Sequence, residues 1–234
     1  MKIQLAACSV LLVSAVALKQ AEAQPPKQEL QQKLAALKES VGRNQAALRQ
    51  YSWTEHTDII LKGEVKKTED KLCRYGPDGQ VQKTPLGTPA APKQMRGMKK
   101  RMVDKKVGEL TDYMDRAAAL IHRYVPPSPQ RMQGVFEAGG AAVAQAGPGL
   151  VSLQFHNYVK PGDSLVLSLN AGPKQLNKVA VNSYLDSPQD AVTLDVNFYQ
   201  LPDGTNYTSS TLLNAPAKDV QVRVTNSNHQ RLAH

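Results

Sequence analysis

The chain has 234 residues, of which 29 are basic and 20 acidic, and its formal net charge is +9. Hydrophobic residues make up 41% of the sequence and aromatic residues 5%, which suits an aliphatic core with few aromatic stacking surfaces. The only cysteines are Cys8 and Cys73, so a fold held together by several disulfides is excluded, and the core must be stabilised by burial.

The first 23 residues have the three parts of a secretory signal peptide. Lys2 supplies the positive start, residues 3–18 carry no charge and are mostly apolar, and Ala21-Glu22-Ala23 is a small-x-small cleavage site. Cleavage after Ala23 would leave a periplasmic or secreted protein that does not meet nucleic acid. Two minor alternatives are a lipid anchor at Cys8 and an uncleaved anchor, although the apolar stretch is shorter than the roughly 20 residues that span a bilayer.

Removing residues 1–23 takes away two lysines and one glutamate, which leaves a net charge of +8. A basic exported protein is attracted to anionic lipids and acidic polymers. Cys73 remains alone, and its position in a predicted strand favours a small half-buried hydrophobic side chain over a reactive thiol.

The next segments predict a helix and then a β-meander. Apolar residues from Leu30 to Leu48 recur at helical spacing among good helix formers, so we expect an amphipathic helix ending near Gln50. Three charged strands follow at residues 53–61, 64–75 and 80–83, with Pro77-Asp78-Gly79 as a turn.

Residues 84–106 predict a long basic loop. The stretch from Thr84 to Arg101 is rich in Pro, Gly, Lys and Met and has no hydrophobic period. Its cations, with interleaved methionines, form a candidate contact with an anionic membrane; a solubilising loop is the alternative. The candidate membrane-contact residues are Lys93, Arg96, Lys99, Lys100 and Arg101.

Two helices and a run of strands complete the chain. An apolar stripe from Val107 to Ile121 predicts a helix capped by Asp104, and Ser128-Pro129 predicts the start of a shorter one. Alternating strands separated by short turns then run from Val151 to Thr225, which indicates an antiparallel sheet. We therefore expect one α+β domain over residues 24–234.

The sequence carries no motif of a hydrolase, a metal site or a nucleotide-binding loop, so we expect no catalytic residue, no metal and no cofactor. The most suggestive cluster is Glu55-His56-Thr57-Asp58, because a strand would place His56 and Asp58 on one face. A polar strand facing solvent is the simpler interpretation. Asn206-Tyr207-Thr208 fits a glycosylation sequon but is more simply a hairpin arm.

The order of the elements, together with Leu201-Pro202-Asp203-Gly204-Thr205 and the final strand from Val220 to Asn228, resembles the LolA/LolB superfamily of outer-membrane lipoprotein carriers. This resemblance implies a curved antiparallel sheet, an incomplete β-barrel covered by helices, with an apolar cavity for acyl chains. It favours a non-enzymatic periplasmic carrier of a lipid or lipoprotein. The candidate ligand-binding residues are Phe155, Leu167, Leu169, Leu194, Val196 and Phe198, with core packing as the alternative for each.

Two other functions remain open from the sequence. One is an envelope interaction module that attaches to an anionic membrane or polymer through the basic loop. The other is a hydrolase or isomerase that uses His56 with Asp58.

Overall fold

The computed structural model describes residues 32, 35, 39, 42–87, 98–172 and 175–232, with the backbone alone for 98–104. Its described part contains one sheet of ten strands in the order β3-β2-β1-β10-β9-β8-β7-β6-β5-β4, and every neighbouring pair is antiparallel. The strands are β1 (Tyr51–Leu61), β2 (Glu64–Tyr75), β3 (Val81–Pro85), β4 (Ala141–Gly147), β5 (Leu150–His156), β6 (Ser164–Asn170), β7 (Gln175–Tyr184), β8 (Ala191–Gln200), β9 (Asn206–Ala215) and β10 (Val220–Arg231).

Among the described residues, three α-helices accompany the sheet: α1 (42–48), α2 (Met98–Ile121) and α3 (Pro129–Glu137). A 3-10 turn at Pro216–Lys218 joins β9 to β10. The predicted antiparallel sheet with helices is confirmed at this level, and the sheet is open, with β3 and β4 at its edges. Short connections join most consecutive strands, and β10 returns to pair with β1. Among the described helices, none has the length and apolar character needed to span a membrane.

Helix α2 shortens the predicted basic loop. Strand β3 ends at Pro85 and α2 begins at Met98, so Lys99, Lys100 and Arg101 belong to the start of a helix, where the sequence predicted a loop over residues 84–106. Met, Lys and Arg are good helix formers, and this propensity continues the helix upstream of its apolar stripe. Lys93 and Arg96 lie outside the described residues, as does the predicted signal peptide.

The hydrophobic core lies between helices α2 and α3 and strands β5 to β8. Alternate residues of these strands point to one face, and residues of α2 and α3 cover them. The strand residues of this core are Ala141 of β4 and, from β5 to β8, Leu153, Phe155, Leu165, Leu167, Leu169, Val179, Val181, Val192, Leu194 and Val196.

A buried carboxylate attaches the chain after α2 to the β5–β6 turn. Asp163 is 2% exposed and accepts hydrogen bonds from the backbone N–H groups of Tyr158 (2.5 Å), Val159 (2.9 Å) and Lys160 (2.8 Å). The hydroxyl of the fully buried Tyr124 also donates to it. This carboxylate therefore fixes the turn and the end of the helical segment at the same point.

The face that carries the core continues across the whole sheet. Strand register places Val196 of β8 opposite Thr211 of β9, Thr211 opposite Val224 of β10, and Val224 opposite Thr57 of β1. Directly opposed residues point to the same side, so this row runs from the covered core onto the part of the sheet formed by β1, β2 and β3.

Candidate ligand-binding groove

The part of this face near β1 forms a groove of about 350 Å³, which we call the aromatic groove. Strands β1, β2, β3, β9 and β10 supply its floor, and Leu48 of α1 supplies part of one wall. Its lining residues are Leu48, Trp53, Glu55, Tyr75, Val81, Lys83, Tyr207, Thr208, Thr211, Val224, Asn226 and His229.

Four ring-bearing side chains are in contact along the groove. The indole of Trp53 stacks on the imidazole of His229, with centroids 6.1 Å apart and planes inclined by 11°. Trp53 also contacts Tyr75 at 5.6 Å, and His229 contacts Tyr207 at 4.1 Å. The rings present broad apolar surfaces with polar atoms at their edges, an arrangement that tolerates both water and an apolar ligand.

Helix α1 is attached across one end of the groove. The Asn44 side chain donates to the carbonyl oxygen of Asn206 and accepts from its N–H, each at 2.6 Å. Directly after α1, the Arg49 guanidinium packs against Gly79 in the β2–β3 turn. The backbone of Gly79 has a φ of +76°, which also favours glycine there. The Tyr51 hydroxyl, which follows the helix, donates to Asp203 at 2.6 Å. These contacts hold α1 between β9 and the β2–β3 turn.

Polar groups lie at the edge of the groove and are mostly paired. Glu55 is buried and accepts two hydrogen bonds from the Lys83 ammonium, at 2.6 and 2.8 Å. The Asn226 amide donates to the carbonyl of Thr208 at 2.9 Å. Burial lowers the pKa of His229, which favours the neutral imidazole, and desolvation raises the pKa of the buried Cys73 thiol.

The six residues predicted to bind a ligand lie elsewhere on the same face. Phe155, Leu167, Leu169, Leu194 and Val196 are buried in the core beneath the helices. The sixth, Phe198, is partly buried against that core and lines a second cavity at the end of β8. The structure thus places the predicted set in the half of the sheet covered by α2 and α3, and the groove in the half that these two helices leave uncovered.

Sequence reasoning missed the aromatic groove because its residues are distant along the chain and lie in charged strands. Trp53 and Tyr75 lie in the charged strands of the predicted meander, and His229 lies beyond the predicted end of the last strand. The sequence contains one clue to the groove, which is that its single tryptophan and two of its eight tyrosines lie in strands that otherwise carry charge.

The His56 cluster is brought together on the opposite face of β1 from Glu55. Its Nδ1 lies 2.7 Å from Asp70 and its Nε2 lies 3.3 Å from Asp58. The hydrogen bond with Asp70 is the main cause of a raised pKa for His56. An imidazole with a carboxylate at each nitrogen favours its protonated form, which cannot act as a general base.

Within the described ranges, no group of three or more His, Cys, Asp or Glu side chains has the arrangement of a metal site. Asn206 of the glycosylation sequon is buried and donates to the carbonyl of Leu176 at 2.8 Å, as expected for a structural residue of a hairpin arm.

Comparison with protein-family profiles and comparison with curated proteins both gave no match. Among solved structures, the chain is similar to a DUF1329 family protein from Desulfovibrio piger ATCC 29098, with 10% identity and a TM-score of 0.38 over 86% of this chain and 92% of that chain. It is also similar to a chain of the Pseudomonas aeruginosa MucA/MucB complex, with 10% identity and a TM-score of 0.23 over 84% of this chain and 99% of that chain. Both likenesses are distant.

Proposed function

We propose that this chain is an exported, non-enzymatic binding or carrier protein whose hydrophobic ligand lies in the aromatic groove. The observation that supports this function most directly is the groove itself, an open apolar space on the same sheet face that elsewhere forms the core. Its volume of about 350 Å³ falls in the range of small-molecule sites, roughly 300–1,000 Å³.

The groove suits an apolar tail better than a compact polar ligand. Trp53, Tyr75, Tyr207 and His229 offer ring faces, and Leu48 adds an aliphatic surface. Each methylene of a ligand that is buried against such surfaces contributes about 0.8 kcal/mol. An acyl chain of modest length therefore gains several kilocalories per mole without needing a specific polar contact.

Two features support binding without catalysis. The buried carboxylate at the groove is held by two hydrogen bonds from Lys83, so Glu55 is engaged as an ion pair. The His56 cluster lies on the other face of the sheet, with both ring nitrogens next to carboxylates. The Cys73 thiol beside Glu55 is buried, and desolvation raises its pKa, so neither arrangement presents an activated nucleophile, which acyl transfer requires.

The same substitution at two positions in one row of the sheet tests the proposal. Val224→Phe adds bulk inside the groove, so it should weaken uptake of a fluorescent fatty-acid probe at least tenfold with little loss of stability. Val196→Phe adds the same bulk to a packed core, so it should cost about 1–3 kcal/mol of stability and leave the affinity of the folded protein unchanged. Both residues are valines on the same face, which makes each the control for the other.

Two outcomes would contradict the proposal. One is the absence of any probe binding by the parent protein. The other is the reverse pattern, in which Val196→Phe abolishes uptake at unchanged stability while Val224→Phe has no effect. That pattern would place the ligand under α2, among the residues originally predicted to line the cavity.

A second candidate function is attachment to an anionic membrane through the start of α2. The first turn of this helix contains no acidic residue, and Lys99, Lys100 and Arg101 follow Met98 directly. Cations at a helix N-terminus are repelled by the positive end of the helix dipole, and an anionic surface nearby would offset this repulsion. Such contact is compatible with a carrier that collects or delivers a ligand at a membrane.

A further inference from the structure

A second cavity of about 690 Å³ lies at the end of strands β6 to β9, and we call it the headgroup cavity. Tyr207 is a lining residue of both this cavity and the aromatic groove. Its lining residues are Asn170, Leu176, Asn177, Phe198, Tyr199, Gln200, Leu201, Pro202, Asn206 and Tyr207.

The lining of the headgroup cavity is polar but uncharged. Three asparagines and one glutamine contribute side-chain amides, and no lysine, arginine, aspartate or glutamate is among the lining residues that the structure describes. Within the described part of the chain, the amides of Asn170 and Asn177 form no hydrogen bonds with other groups. The adjacent Lys178 is paired with Asp195 at 2.6 Å. A ligand group in this cavity therefore meets hydrogen-bond donors and acceptors without a counter-charge.

An exposed aromatic ring stands beside these amides. Tyr199 is 67% exposed, and its ring contacts Tyr207, the directly opposed residue on β9, edge to face at 6.4 Å. The contact with Tyr207 orients the Tyr199 ring while leaving most of it open to solvent. A ring held in this way offers a flat surface on which the C–H face of a sugar ring can stack.

Two β-bulges shape the cavity. In β7, Asn177 is the extra residue between the Ser168–Lys178 and Leu169–Leu176 pairs. In β9, Ser209 is the extra residue between the Asn197–Ser210 and Phe198–Thr208 pairs. Bulges bend a strand and redirect side chains, and they occur often beside functional sites.

We propose that the headgroup cavity binds the uncharged, hydroxyl-rich headgroup of a sugar-headed amphiphile whose apolar tail lies in the aromatic groove. This inference rests on the proposed function and adds the class of headgroup. Amides donate and accept hydrogen bonds, as the hydroxyl groups of a sugar do, and Tyr199 supplies a stacking surface. A phosphate or carboxylate headgroup would find no cation among the described lining residues.

The experiment measures the binding of three amphiphiles with the same tail, each below its micelle concentration: octyl β-glucoside, octyl phosphocholine and octyl sulfate. Trp53 is the only tryptophan and lies in the groove, so its emission reports tail occupancy for every ligand. We expect octyl β-glucoside to bind at least tenfold more tightly than the other two. Free glucose has no tail for Trp53 to report, so calorimetry measures its binding, which should be at least a hundredfold weaker than that of octyl β-glucoside.

Variants of Tyr199 locate the preference. Tyr199→Ala should reduce affinity for the glucoside about five- to tenfold and leave octyl sulfate unchanged, whereas Tyr199→Phe should retain most of it because the ring remains. The side chain is mostly exposed, so both variants should melt like the parent protein.

The results distinguish failure of this inference from failure of the proposed function. Equal affinity for the three amphiphiles, with a Trp53 response to each, would overturn the headgroup inference and leave tail binding intact. Free glucose binding as tightly as octyl β-glucoside would also overturn it, because the tail would then add nothing. The absence of a Trp53 response to any amphiphile would overturn both proposals.

Discussion

Replacing Asp163 with alanine should destabilise the protein more than any surface change, because one carboxylate satisfies four donors. The substitution removes the acceptor for three backbone N–H groups and for the Tyr124 hydroxyl. The Tyr158 N–H is buried and would be left without an acceptor, at a cost of about 1–3 kcal/mol, whereas the Tyr124 hydroxyl would keep its contact with Ser183. The other bonds to this charged acceptor contribute about 1.5–3 kcal/mol each. We expect a loss of about 3 kcal/mol or more, which for a chain of this size lowers Tm by about 6–12 °C.

Urea denaturation measures this loss, with the midpoint expected to fall while the slope m stays constant. Asp186→Ala is the matched control, since Asp186 pairs with Arg116 at 2.5 Å and both side chains are more than half exposed. Exposed ion pairs contribute little, so the control should lose no more than about 1 kcal/mol. The reasoning fails if the two aspartate variants unfold at the same urea concentration, or if Asp163→Ala costs less than about 1 kcal/mol.

Three further predictions concern titration, export and membrane contact. Because burial lowers the pKa of His229, the unfolded state takes up a proton first as pH falls below about 6.5, so stability should decrease there. His229→Phe should make stability less dependent on pH in that window, and an unchanged pH profile by thermal melting would contradict this. Intact mass of the exported form should show cleavage after Ala23; a diacylated or uncleaved species would not fit. Changing Lys99, Lys100 and Arg101 to alanine should weaken cosedimentation with anionic vesicles at low salt, and equal sedimentation of parent and variant would favour the solubilising role.

The sequence predicted the antiparallel sheet well because each strand carries its own local pattern. In β6, Leu165, Leu167 and Leu169 alternate with polar residues, and all three are buried on one face in the structure. The turn at Pro77-Asp78-Gly79 likewise separates β2 from β3 as expected. Period-2 alternation and turn chemistry depend on neighbours within a few residues, so they can be read without knowing the fold.

The candidate site was harder to predict because it depends on pairings between distant strands. Trp53 and His229 are separated by most of the chain and meet only because β10 returns to pair with β1. Alternation shows that Val196 and Val224 each face one side of a sheet, but it does not show which of them a helix covers. Coverage depends on where α2 and α3 pack, and periodicity within a strand carries no information about that.

The dimensions of the helices limit how much of the sheet they can cover. Ten strands at about 4.8 Å spacing form a sheet about 43 Å wide, and α2, with 24 residues, is about 36 Å long. The apolar residues of α2 and the short α3 pack on β5 to β8. On β6 to β8 the buried residues from Leu165 to Val196 are aliphatic except for Ser183, which contacts the Tyr124 hydroxyl. On the uncovered side, the same face changes to Trp53, Tyr75 and His229.

This change of side-chain type is physically informative. An aliphatic side chain left uncovered exposes its whole surface to water, whereas an aromatic side chain with a polar edge remains hydrated there and still offers an apolar face. If the uncovered end were only an unfinished core, then polar residues would serve it better, because they need no partner. Rings held in contact by stacking instead keep apolar area available at a fixed place, and this preorganisation lowers the entropic cost of binding a ligand. The division of this face into a mostly aliphatic half under α2 and α3 and an aromatic half beyond them is therefore the strongest argument for our proposal that the groove holds a ligand.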